Sequence, residues 1–370
     1  MGEWARTVAD LGVSVASAPG FWRGRRVLVT GHSGFKGGWL TLWLRHLGAD
    51  VVGLSLPPLT TPSLFAAARV ADACESHFGD IRDEALVRRI VRAAAPEVVF
   101  HLAAQPLVRA SFRTPVETFA ANVMGTAHVL DALRDLPALR AAVVITTDKV
   151  YRNLETLRPY GEDDALGGHD PYSASKAASE IVIESYRKSF LAEAGVGVAS
   201  ARAGNVIGGG DWSEDRLIPD AIRTWSAGET LPVRRPDAVR PWQHVLEPLG
   251  GYLRLAEALV ADPSVATAVN FGPPAAEACA VREVVELARG AWRRGEAKVA
   301  YATALEGPHE AGLLVLDNAR ARSVLGVEPR LPLAAAVRQA VAWYEAFAAG
   351  EDAQALCLRE IEAFSAATAS

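Results

Sequence analysis

The chain has 370 residues with a formal net charge of -5; half of them are apolar and 22% are charged. That length suffices for a sizeable core, and a mixed, slightly acidic surface argues against nucleic acid or an anionic membrane as partner. No apolar run approaches the roughly 18 residues of a membrane span, and Met1 to Gly20 has neither the basic start nor the apolar stretch of a secretory signal.

In chain order, residues 1–20 read as an N-terminal extension. A first strand is expected at Arg26–Thr30, where the run RVLVT is short and rich in β-branched residues. A glycine turn follows, with Gly31, Gly34 and Gly37 spaced Gly-x-x-Gly-x-x-Gly around Phe35 and Lys36. A helix then runs from about Lys36 to Leu47, stopped by Gly48. Strand, glycine turn and helix N-terminus form a place for a pyrophosphate: free N–H groups and the positive end of the helix dipole meet there, and glycine lets the ligand approach the backbone. A purely structural tight turn is the competing reading.

The second strand, Asp50–Leu56, ends without the acidic residue that usually grips the adenosine ribose about 20 positions after the turn. Ser55 is the candidate for a ribose hydroxyl, which leaves NAD against NADP open on this strand alone. Asp80, beside Ile81 and after a strand near Glu75–Gly79, is placed to accept from an adenine amino group. It serves equally as a cap for a helix over Glu84–Ala95. A strand over Glu97–Leu102 ends in His101-Leu102-Ala103-Ala104-Gln105, whose small alanines allow a cofactor to pass close. A helix is expected over Pro115–Leu136.

The strand Ala141–Thr146 runs into Thr147-Asp148-Lys149. In an open α/β sheet ligands sit off the carboxyl ends of strands, so a hydroxyl, a carboxylate and an ammonium there can accept, donate and stabilise charge. A surface ion pair at a turn is the alternative. Tyr172 and Lys176 share one face of a helix over Ser173–Ala194, with Pro171 suited to its first position. An ammonium near a phenol lowers the phenol's pKa and makes it a usable base for a sugar hydroxyl. Further strands are expected at Gly197–Arg202 and Ala268–Phe271.

This alternation predicts an α/β fold: a Rossmann-type doubly wound parallel sheet with a smaller C-terminal substrate-binding lobe. Residues 21–205 form the dinucleotide domain, to which a strand near 268–272 returns. Most of 206–350 forms the lobe, and 351–370 reads as a helical tail that frays. Cys74, Cys279 and Cys357 are far apart, with no metal spacing; a reducing compartment, the cytoplasm, is expected.

The stretches GHSGFKGGWLTLWLRHLGA, PSLF, HLAAQPLVRASF, NVMGT, TTDKVY, GGHDPYSASKAASE, GNVIGGGDW, DRLIPDAI and RPWQHVLEPLGGYL fall in order from Phe21 to Tyr252, with a further match over His309 to Asp317. They resemble the extended short-chain dehydrogenase/reductase family, and more narrowly its nucleotide-sugar 4,6-dehydratases, with CDP-glucose as the implied substrate. The resemblance implies bound NAD and a redox-neutral dehydration. Hydride leaves C4 while Tyr172 takes the hydroxyl proton, water departs across C5 and C6, and the hydride returns to C6. Thr147 would hold the sugar near O4 and Asp148 would protonate the 6-hydroxyl. Many relatives have a glutamate base at the next position; here Lys149 stands, as neutral base, through water, or as electrostatic partner of an enolate. Gln105, Asn205, Arg216, Leu217 and Arg240 would face the nucleotide sugar. The resemblance further implies a homodimer, or a homotetramer built from it, through the Pro115–Leu136 and Ser173–Ala194 helices. The segment Arg152–Tyr160 departs from the family wording and is expected over the active site, where it leaves room for a different or modified hexose. An epimerase of the same fold and a non-catalytic dinucleotide sensor are the competing functions. Asp148-Lys149 argues against the first and the intact Tyr172 and Lys176 against the second.

Overall fold

The computed structural model describes residues 20–156, 158–303 and 312–366. Seven strands form one parallel sheet: β1 Arg26–Thr30, β2 Asp50–Ser55, β3 Glu75–Phe78, β4 Val98–His101, β5 Ala141–Ile145, β6 Gly197–Ala203 and β7 Ala268–Phe271. Their spatial order is β7-β6-β5-β4-β1-β2-β3, the doubly wound order with one further strand at the β6 edge. The expected return of the strand near 268 is seen in its register, Ala268 opposite Ser200 through Phe271 opposite Ala203.

The inner strands β1, β2, β4 and β5 are largely buried on both faces, as a parallel sheet covered on both sides requires, while the edge strand β3 is polar and partly exposed. Val27 and Val29 of β1 pack into one core, while Leu28 packs into the other. The second core lies under α2 (Glu84–Ala94), α3 and α4. Helix α3 joins Pro115–Phe119, a π-turn Ala120–Met124 and Gly125–Ala132. Helix α4 is Pro171–Tyr186, prolonged by a π-turn Arg187–Leu191. The first core lies under α1 (Phe35–His46), α6 (Leu246–Ala261) and two C-terminal helices, with α5 (Leu217–Ser226) at its lobe end.

The C-terminal lobe is built from short strand pairs. Asn205–Ile207 pairs with Trp242–His244, Val239–Arg240 with Cys279–Ala280, and Thr230–Val233 with Lys298–Tyr301. Together with α5 these carry side chains over the carboxyl ends of the sheet strands.

One expectation is corrected. Among the described residues after Gly350 the chain is not a frayed tail: α8 (Ala353–Ala366) follows α7 (Leu333–Ala348) and docks on the first core. Leu356, Cys357, Ile361 and Phe364 are buried, and Phe364 meets Trp43 of α1 edge to face. Alanine-rich composition hid a real apolar stripe, whose i, i+4 spacing sets one face against α1. Of the expected N-terminal extension and the match at His309, residues 1–19 and 304–311 lie outside the described residues. Because Ile361 is fully buried, Ile361→Ala should lower the unfolding free energy by about 2–5 kcal/mol in a denaturant melt. A loss within about 0.5 kcal/mol, the usual surface value, would mean that α8 is not docked.

Candidate active site

The turn after β1 is tight by necessity. Gly31 has φ +81, and a Cβ there would lie 2.8 Å from the Ala103 nitrogen; at Gly37 it would lie 2.0 Å from the Gly31 carbonyl oxygen. At Gly34 only that carbonyl, at 3.4 Å, comes near, so one side stays open for a ligand. The N-terminus of α1 has no side-chain cap and no acidic residue in its first turn. Its N–H groups and dipole therefore remain for an anion. The cradle fits the pyrophosphate of a dinucleotide.

The far side of the turn differs from expectation. Ser55 does not offer a free hydroxyl: it accepts from Ser33 N at 3.3 Å and bonds His32 Nδ1 at 3.1 Å. His32 is fully buried, bonds Ser76 Oγ through Nε2 at 2.7 Å, and packs between the Phe65 and Phe78 rings. Gly53 is glycine because the imidazole fills the space of its Cβ, 2.4 Å away. Nothing in the sequence signalled that His32, inside the glycine turn, would fill this place and shape the turn. Asp80 lines the cavity, but it is not the helix cap. Asp83 caps α2 through Leu86 N, and Asp80 is gripped by Arg82, whose Nε and Nη2 donate at 2.9 and 2.6 Å.

Asp170 caps α4 and Pro171 opens it, which puts Tyr172 in the first turn. Burial pushes the Tyr172 phenol up to about 12, partly opposed by a hydrogen bond with Thr147 and the charge of Arg216. Lys176 stands one turn further along the same face. Its Nζ donates to the Ile145 carbonyl at 3.1 Å, and burial lowers its own pKa to about 8.

Thr147 begins a 3₁₀ turn over Asp148–Val150. Its hydroxyl donates to Asp148 Oδ1 at 2.9 Å, and Lys149 Nζ reaches the same oxygen at 3.1 Å. Asp148 is fully buried, and its Oδ2 has no hydrogen-bond partner; neither has the buried Oδ1 of Asn205. A buried acceptor without a donor is costly, so these two call for a ligand that brings hydroxyl groups. Lys36, Lys149, Lys176 and Arg216 all act on this region. Burial first, then Arg216 and the other lysines, lower Lys36 to about 7 against the pull of Asp148. The Lys36 ammonium finds only the Tyr252 hydroxyl, at 3.3 Å.

A single cavity of about 1210 Å³ runs along the carboxyl ends of the strands. Every residue expected to bind cofactor or substrate lines it, as do Thr147, Lys149, Tyr172 and Lys176; Asp148 lies just behind. Gln105 is also tied to its own loop. Its amide donates to Leu107 O and Thr118 Oγ1 and accepts from Leu107 N, so it shapes its own loop. Asn122, in the π-turn of α3, clamps that loop and donates to Ser175 Oγ. Arg216 donates to Pro106 O, and Leu217 opens α5. Arg109 and Arg234 on the cavity wall both bond Asp215 at 3.1 Å, a cluster with no sequence signal. Arg152, Asn153 and Glu155 border the cavity as expected, and Glu155 is tied to the Gly312 N–H.

A doubly wound sheet with this turn and a Tyr-x-x-x-Lys helix is the arrangement of the extended short-chain dehydrogenase/reductases. Residues 28–340 match the model of the family described as GDP-mannose 4,6 dehydratase, and the chain belongs to that family. It is 45% identical to a CDP-glucose 4,6-dehydratase of Salmonella typhimurium over 94% of this chain and 98% of that protein. It is 32% identical to a dTDP-glucose 4,6-dehydratase of Streptomyces griseus over 86% and 93% of the two chains. Among solved structures it is similar to MoeE5 in complex with UDP-glucose and NAD, with TM-score 0.72 and 26% identity over 87% of this chain and 99% of that one.

The site carries a pH liability. Burial lowers His32 to about 4 and His101 to about 3, from an ordinary 6.5. Between those values and 6.5 the unfolded chain binds protons that the folded one does not. Stability is therefore full above pH 6.5 and falls as the pH drops below it. A His32→Asn variant should show a shallower fall of melting temperature from pH 6.5 to 4 than the parent; an equal slope would remove His32 from the effect.

Proposed function

We propose that this chain is an NAD-dependent nucleotide-sugar 4,6-dehydratase, a hydro-lyase that converts CDP-glucose to CDP-4-keto-6-deoxyglucose and water. The observation that carries the reading is Asp148: a buried carboxylate with one bare oxygen, set beside the Tyr172 hydroxyl through Thr147. An epimerase needs only the tyrosine; an elimination needs a second proton carrier. The 45% identity to a CDP-glucose 4,6-dehydratase supports CDP-glucose over other nucleotide sugars. The MoeE5 complex with NAD supports the dinucleotide.

When bound, NAD supplies a hydride acceptor for C4 and gives the same hydride back at C6. Gly31, Gly34 and Gly37, with the backbone of Phe35 and Lys36 at the start of α1, hold its pyrophosphate. Ala103 and Ala104 leave room beside it, and Asp80 and Ile81 stand at the adenine end. Tyr172 takes the proton of the 4-hydroxyl, with Thr147 orienting that oxygen. The resulting 4-ketone acidifies C5. Asp148 passes a proton to the departing 6-hydroxyl. Lys149, held 3.1 Å from Asp148, accepts the C5 proton at Nζ and gives it back to C5 as the hydride adds at C6, and the proton taken from the 4-hydroxyl restores Asp148. Asn205, Arg216 and Arg240 face the nucleotide diphosphate, a task that suits the guanidinium fork.

The assembly is proposed to be a homodimer, or a tetramer built from it. Val116, Phe119 and Met124 of α3 and Ile181 of α4 are 75, 40, 51 and 63% exposed, an apolar face on two adjoining helices. The three cysteines are free thiols, which suits the cytoplasm, and no helix among the described residues is long and apolar enough to cross a membrane.

Incubation with CDP-glucose and NAD should yield a product that lacks the 6-hydroxyl and gains the alkaline absorbance of a 4-keto sugar. Tyr172→Phe should lower turnover on the order of 10²–10⁴-fold while dinucleotide binding, read by calorimetry, persists. Unchanged turnover would reject the mechanism. Ile181→Asp should halve the molar mass in light scattering; a parent already at the mass of one chain would refute the dimer.

A further inference from the structure

Glu180 lies one turn beyond Lys176 and two beyond Tyr172, so all three share a face of α4. No step of the reaction uses it. Its side chain is 5% exposed, as is that of its partner Arg202 on β6. Both carboxylate oxygens are filled. Oε1 accepts from Thr146 Oγ1 and from Arg202 Nε at 3.0 Å; Oε2 accepts from Ser200 Oγ at 2.7 Å and from Arg202 Nη2 at 2.8 Å. Arg202 reaches on to the Tyr151 hydroxyl at 3.0 Å and the Glu162 carbonyl at 2.9 Å, and Tyr151 donates to Asn270 Oδ1.

A buried ion pair gains little net stability over apolar packing, because both charges lose water. What this one does gain is a fixed geometry. The network joins the helix that carries Tyr172 and Lys176 to Thr146 and Tyr151, which flank the Thr147–Asp148–Lys149 turn on either side. It also leaves an anion one turn from Lys176.

We propose that Glu180, clamped by Arg202, is a positioning residue that keeps Lys176 protonated and sets the Asp148 turn against the Tyr172 helix. This deepens the dehydratase reading and rests on it. The surroundings of Lys176 leave the task to Glu180. Tyr172 shares its helix, His101 at the end of β4 is buried and neutral, Lys36 from the glycine turn repels it, and β5 offers only the Ile145 carbonyl. Glu180 is the carboxylate that opposes the effect of burial on the ammonium. Around Glu180 itself stand Arg202 and, from the same helix, Arg187.

The chain has five lysines, Lys36, Lys149, Lys176, Lys188 and Lys298, few enough to titrate individually. Protein labelled with ¹³C-lysine, with the Lys176 signal assigned by Lys176→Arg, should show a midpoint near 8. In Glu180→Gln that midpoint should fall by about one pH unit, a tenfold change in the ratio of charged to neutral amine. The alkaline limb of kcat should move with it, with KM nearly unchanged. If Glu180→Gln does not fold, Glu180→Gln with Arg202→Gln removes both charges together. The midpoint should still fall, because the anion beside Lys176 is gone. An unmoved Lys176 midpoint in whichever variant folds overturns the proposal. Absence of any CDP-glucose turnover by the parent would instead remove the dehydratase reading, and the titration would still stand or fall by itself.

Discussion

A carboxylate withdrawn from water is the constraint on which the rest of this structure depends. Asp148 is fully buried, and removing such a group from water costs several kcal/mol unless partners offset it. Thr147 and Lys149 do so at one oxygen. The other oxygen stays bare next to Gly204, where a Cβ would approach it to 3.2 Å. The turn that carries Asp148 must therefore be held rigidly. The sheet holds it through β5, and the Glu180–Arg202 network holds it from behind.

The same economy of charge explains the lysines. Three of the five converge on this region, with Arg216 beside them and Asp148 as the nearest carboxylate. They cannot all be equally easy to protonate. Lys149 is paired with Asp148, Lys176 has a carbonyl and the distant help of Glu180, and Lys36 has only a phenol. Burial lowers Lys36 further than Lys176, which has the carbonyl and Glu180 to offset it.

Much of this was legible in the sequence because it is local. Runs such as RVLVT and AAVVI declare buried strands, and a strand–glycine–helix order declares a phosphate cradle. Tyr172 and Lys176 follow from helical spacing, and Pro171 marks the helix start. What was illegible is long-range. Ser55 is consumed by His32, twenty-three positions earlier in the chain, and no local pattern shows that the imidazole fills the gap above Gly53. Asp80 is claimed by Arg82, while the cap falls to Asp83. Gln105 is also tied to its own loop, and Lys176 donates to a carbonyl of β5. Helix α8 was misread because its stripe of Leu356, Ile361 and Phe364 is diluted by alanine.

The central claim is a hydride lent and returned within one sugar, with Tyr172, Asp148 and Lys149 moving or balancing the accompanying charge. CDP-glucose deuterated at C4 tests it most directly. The account predicts that deuterium appears at C6 of the 4-keto-6-deoxy product, within the same molecule and with no net reduction of NAD. Deuterium left at C4, or released in free reduced cofactor, would contradict it.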